Sequence, residues 1–213
     1  MSRSLNYSDL QRECIDAHKI FDYVLTSKEQ CFEDVVFTGI SSAAGDTISV
    51  SSCQIGPDST CPEISDPENR PTVTVELPDG TDVDLQVVTL QKTIQIIIEG
   101  DVTSGGTATP FTSTAVVVFC PEEVLMCAPI GTMVDCMITD TSRCVVGALT
   151  LDPANSTATG NVHVLACQGI QTYAEVKLEI LAKICDPRGI IPFPECEVNP
   201  FPQQCPSIFP PAH

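Results

Sequence analysis

Residues 72–77 read Thr-Val-Thr-Val-Glu-Leu, residues 83–90 read Val-Asp-Leu-Gln-Val-Val-Thr-Leu, and Pro-Asp-Gly-Thr lies between them. An extended chain puts alternate residues on one face, whereas a helix would scatter the same residues around its axis. Two alternating runs joined by an Asp-Gly turn therefore predict a β-hairpin. The same reading marks strands at residues 34–40, 47–52, 94–98, 111–120, 133–138, 144–151, 161–167 and 174–183, with turn chemistry at 152–160. About ten strands at turn spacing define an all-β chain, an antiparallel β-sandwich or a barrel-like domain. The β-branched run Val116, Val117, Val118 predicts a strand buried on both faces or central in its sheet. Ala174, Val176, Leu178, Ile180 and Ala182 predict a dry face opposite the charged Glu175, Lys177, Glu179 and Lys183.

Three segments break this pattern. In an N-terminal arm, residues 1–26, Ser8 and Gln11 make a capping-box pattern and Leu10, Cys14, Phe21 and Leu25 approximate a helical stripe, while Ile15, Ala17, Lys19, Phe21 and Tyr23 alternate. A short helix or arm around 8–14 leading into a strand is expected. Residues 103–110, rich in Ser, Thr and Gly, are expected to be a loop or linker between β-rich halves at 27–102 and 111–185. Residues 186–213 carry eight prolines together with Phe193, Phe201, Phe209, Cys196 and Cys205. They predict an extended, polyproline-like tail that lies along its own domain or a neighbour's.

Charge and cysteine content bound the function. Against 28 acids the chain has 10 Lys and Arg, a formal charge of −18, so no dense positive surface for nucleic acid can form. With 43% hydrophobic and 18% charged residues the chain is too apolar to stay disordered. Twelve cysteines among 213 residues is several times the usual intracellular usage and predicts disulfides. Yet no apolar stretch of signal-peptide length follows Met1, and no apolar run approaches the roughly 20 residues that span a bilayer. The expectation is a chain made in a reducing cytosol, with no membrane partner, that meets an oxidant later.

Metal and catalytic signals are weak. There is no CxxC pair of the kind that shares zinc from one tight turn. Cys14 with His18 and His163 with Cys167 have i,i+4 spacing, but four residues along a strand separate side chains by about 13 Å, too far for one ion. Iron–sulfur and haem signatures are missing. His18, His163 and His213 are the sole imidazoles, and no GxSxG, HExxH or cysteine-protease pattern surrounds them. Glu33-Asp34 and Glu122-Glu123 read as solvated faces rather than acid–base pairs. No enzymatic role and no cofactor is expected. Asp79, Asp82 and Asp84 in Pro-Asp-Gly-Thr-Asp-Val-Asp form a candidate calcium cluster, and equally an ordinary polar hairpin turn.

Two blocks carry a resemblance. Cys14–Val24, CIDAHKIFDYV, is similar to a Cys-x-x-x-x-Lys-Val-Tyr/Phe-Asp-Trp-Val stretch, with Tyr23 in place of the Trp. Cys127–Asp140, CAPIGTMVDCMITD, followed by Leu165–Gly189, LACQGIQTYAEVKLEILAKICDPRG, is similar to a pattern in which a cysteine precedes Ile-Gln, then Glu-Val-Lys-Leu-Glu-Ile, then Lys-Cys-Pro-Arg. Both resemble bacterial endospore coat and exosporium proteins of the SPOCS (spore coat-associated) type. The resemblance implies a structural component of a shell built in the mother cell, which needs no signal peptide and oxidises after lysis. Its partners would be other copies of itself and further spore-surface proteins. On that view Cys14, Cys196 and Cys205, in the arm and tail, are candidates for bonds between molecules. Cys120, Cys127, Cys136, Cys144 and Cys167, in or beside strands, are assigned to intrachain bridges or the core. The expected function is a self-assembling, disulfide-crosslinked spore-surface lattice; the alternatives are an appendage fibre subunit, a secreted binding module with every cysteine bridged internally, and a metal-binding thiol protein.

Overall fold

A computed structural model describes residues 11–182, and all their regular structure is strand. The ten strands are β1 (Gln11–Thr38), β2 (Thr47–Ile55), β3 (Thr72–Glu76), β4 (Asp82–Leu90), β5 (Thr93–Ser104), β6 (Thr107–Val118), β7 (Glu122–Met126), β8 (Met133–Ile138), β9 (Arg143–Asp152) and β10 (Thr157–Ala182). They form one sheet in which β10 pairs β1 and also β8 and β9, a second of order β2-β5-β6, and a third of order β3-β4-β7. These are open antiparallel sheets with edges, sandwich-like rather than a closed barrel. The described residues fall into two compact units, one made by 11–18 with 175–182 and the other by 19–174.

The 11–18/175–182 unit is a two-stranded ribbon. Arg12 pairs with Glu179 at 3.2 Å and Lys177 with Asp16, which puts the even residues of β1 and the odd residues of β10 on one charged face. The Asp16 carboxylate holds the Lys177 ammonium above its usual pKa. Of the two readings for 8–14, a short helix or an arm leading into a strand, the described residues from Gln11 onward are strand: a hydrogen-bonded partner strand outweighs a local capping pattern.

In the 19–174 unit the long sheet covers both smaller ones. Against β2-β5-β6, the fully buried Ile94, Ile96 and Ile98 meet Phe37, Val162, Val164 and Ala166; each such isoleucine contributes about 1.5–3 kcal/mol of burial. Against β3-β4-β7, Val88, Leu90 and Met126 meet Ile170. Strand β1 keeps its apolar residues inward through a kink. Phe32 packs on the core, Asp34 takes a left-handed φ of 53°, and beyond it Val35 and Phe37 face inward, a one-residue slip of the alternation. The Asp34 N–H reaches Asn161 Oδ1 at 3.4 Å, where β10 has its own register shift.

Several expectations change here. Residues 103–110 are no linker: β5 and β6 pair from Thr93↔Val118 to Ser104↔Thr107, and Gly105-Gly106 turns between them with φ of 55° and 87°. Both turn residues are left-handed, the requirement of a tight type I′ hairpin that glycine meets at no steric cost. Pro110 is tolerated because β6 is an edge strand. For the same reason the run at Val116–Val118 is not central; Val117 is buried while Val116 and Val118 are exposed. Segment 161–167 and the described part of 174–183, residues 174–182, belong to one strand, β10, which exchanges β9 for β8 between Leu165 and Gln168. The tail 186–213, with Cys196 and Cys205, lies outside the described residues.

Candidate functional site: the cysteines and a buried polar centre

Two disulfides join the sheets of the 19–174 unit. Cys53 on β2 bonds Cys144 on β9 with Cα atoms 5.6 Å apart, and Cys61 bonds Cys136 on β8 with Cα atoms 5.4 Å apart. Both separations lie within the ordinary Cα–Cα range of disulfides. Cys136 and Cys144 are two of the five cysteines assigned to intrachain bridges or the core. Their partners Cys53 and Cys61 were not singled out, although each pair stands eight residues apart in the sequence. The opposite side of the unit is closed by β1. Asp22 Oδ2 accepts the Cys127 N–H at 2.9 Å, Gln30 Oε1 accepts the Cys120 N–H at 3.3 Å, and Lys28 Nζ donates to the Cys120 carbonyl at 3.3 Å.

Cys14, Cys31, Cys120, Cys127 and Cys167 are free. Cys127 and Cys167 are half-buried, but Cys120 is an exposed thiol, neither bridged nor in the core as expected. Strand β6 ends at Val118, Phe119 fills the core, and alternation then turns Cys120 outward. Cys14 is exposed, as a bond between molecules requires. Cys31 is exposed as well, on the outward parity of β1, opposite to Gln30 and Phe32.

The calcium candidate does not assemble. Asp79 accepts the Thr81 N–H at 3.0 Å within its own turn, which holds its carboxyl below the usual range, and Asp84 accepts the Thr74 hydroxyl at 2.7 Å across β3 and β4. With Asp82 they form no ion cage, and among the described residues no group of three or more His, Cys, Asp or Glu converges. His163 lies 3.4 Å from Glu29, both exposed. A cleft of about 460 Å³ beside the Cys53–Cys144 bridge is lined by one carboxylate, Asp140, and one guanidinium, Arg143, with no imidazole.

Two buried charges were invisible in the pattern. Arg70 donates through Nε and Nη2 to Glu63 at 2.8 and 2.9 Å, and its remaining N–H groups reach the Ala128 and Thr132 carbonyls and the Thr132 hydroxyl at 3.0–3.1 Å. Lys92 sits in the two-residue link between β4 and β5, its side chain 1% exposed, paired with Glu122. Burial pushes its pKa down, against the pull of the Glu122 hydrogen bond and charge. Glu122 is thus no solvated acid, and Gln168 Nε2 donates to the same carboxylate at 3.1 Å. In sequence Lys92 stands in a polar link, Gln91-Lys92-Thr93, between the apolar strand residues Leu90 and Ile94, which reads as a solvated turn.

No protein-family model, curated protein or solved structure matches this chain.

Proposed function

We propose that the chain is a self-assembling structural subunit of a bacterial spore surface, an exosporium or coat lattice, whose contacts between copies are locked by disulfides. The observation that carries this reading is the partition of the cysteines. The two bridges are internal to the 19–174 unit, while Cys14, Cys31 and Cys120 are exposed and free. An internal bridge constrains the unfolded chain, whereas a bridge between copies turns a reversible contact into a covalent one. Exposed thiols reaching an oxidising surroundings exchange into such bonds. A module stapled only within itself has no use for them. The spore assignment rests on the likeness of Cys14–Val24, Cys127–Asp140 and Leu165–Gly189 to coat-associated proteins, and the partners it implies are further copies and other spore-surface proteins. Electrophoresis of assembled material with and without reductant tests it: a ladder or gel-excluded mass that collapses on reduction to the 22.8 kDa chain is expected, and a monomer under both conditions sinks the proposal.

A further inference from the structure

Lys92, Glu122 and Gln168 meet where the two cores end. Leu90 belongs to one core and Ile94 to the other, and Lys92 lies between them in sequence. The Lys92 and Gln168 residues are each 1% exposed. Lys92 is fixed at its backbone, where its carbonyl accepts the Phe119 N–H at 3.0 Å, and at its head, which lies 5.5 Å from the Phe119 ring centre. Its Nζ and Gln168 Nε2 both contact one oxygen, Glu122 Oε2. The Gln168 carbonyl oxygen lies 3.8 Å from Cys61 Sγ, a disulfide sulfur with no proton to offer. An amine, a carboxamide and a carboxylate are thus brought together, the first two buried away from water.

We propose that Lys92 and Gln168 become joined by an isopeptide bond, formed by the folded chain itself with Glu122 as proton carrier. The Lys92 ammonium gives a proton to Glu122, and the neutral Nζ attacks Gln168 Cδ, its lone pair forming the new C–N bond while the carbonyl π pair moves onto Oε1. Glu122 passes its proton to Nε2. The carbonyl re-forms, the Cδ–Nε2 bond breaks with its pair leaving on nitrogen, and ammonia departs. The surplus proton on Nζ returns to Glu122. Lysine amine plus glutamine carboxamide become one secondary amide plus ammonia, with no oxidant or co-reactant, and the ion pair is replaced by a neutral amide and a neutral acid. Burial favours this outcome twice: it weakens the hold of the amine on its proton and concentrates the two reactants at one carboxyl. Desolvation depresses the Lys92 pKa in the direction the attack needs.

The full chain, reduced and alkylated, tests this by intact mass and by tandem mass spectrometry of its peptides. The expected mass is about 17 Da below the sequence mass, the loss of one ammonia, with a branched peptide joining Lys92 to Gln168. The full sequence mass overturns the proposal, and so does a loss of about 18 Da with Lys92 joined to Glu122. Glu122→Gln, similar in size, is expected at full mass with an unchanged circular dichroism spectrum; the branched peptide in that variant would overturn the role of Glu122. If E122Q fails to fold, Lys92→Arg, which keeps the buried cation but cannot form this bond, serves as the full-mass reference.

Discussion

Arg70 uses all five of its N–H donors in a site where its side chain is 1% and that of Glu63 9% exposed. A buried pair of this kind adds little compared with apolar packing, but breaking it leaves an unpaired charge, at a cost of about 3–5 kcal/mol. Arg70→Ala is therefore expected to lower the melting temperature by about 6–20 °C; a shift within a degree or two would mean that Glu63 is solvated in the variant. Three turn carboxylates act at the surface. Asp46 accepts the Ala43 N–H, Asp79 the Thr81 N–H and Asp152 the Asn155 amide, and these bonds hold all three below the usual carboxylate pKa. A group whose folded pKa is depressed contributes its stability above its unfolded pKa and loses it as pH falls through the folded one. Urea midpoints should therefore hold steady through neutral pH and fall below about pH 4, more shallowly in Asp79→Asn. An unchanged acid slope in that variant counts against the Asp79 contribution.

At the scale of elements, the two bridges are nested: Cys61–Cys136 lies inside Cys53–Cys144, offset by eight positions on each side. Closing the inner loop first leaves the outer bridge an effective loop of only roughly 17 residues, worth about 3 kcal/mol, against about 4.5 kcal/mol for the inner bridge alone. Cys53→Ser/Cys144→Ser should cost about 3 kcal/mol with the inner bridge intact, and loss of both bridges about 7–8 kcal/mol, read by urea denaturation. A cost near 4.6 kcal/mol for the outer bridge alone would show that the loops act independently. The hairpin at 72–90 was readable because alternation and turn chemistry agree, and β3 and β4 fall where both point. Strand β7 was missed, since Glu122 and Glu123 suggested solvent until Lys92 supplied a buried partner. Gly100 carries a requirement of another kind: a Cβ there would stand 2.0 Å from the Ser49 carbonyl, beside the irregularity in β2.

For the whole molecule, the cysteine partition sets the expectation. If Cys14, Cys31 and Cys120 are the joints, replacing each with serine should shorten the non-reducing ladder stepwise without changing the urea midpoint. Loss of fold in these exposed variants would instead assign the thiols to the interior. The internal bridges should persist in all three, because neither involves these residues.

Alternation determined on its own that this chain is all-β and built of about ten strands, because side-chain period is a local property of the backbone. Which cysteines pair, that Cys120 faces solvent, and that Lys92, Glu122 and Gln168 meet were decided only by the tertiary structure. Each depends on which sheet lies over which, and that is fixed by contacts between residues as distant as Cys53 and Cys144, whose separation of 91 positions leaves no trace in local pattern.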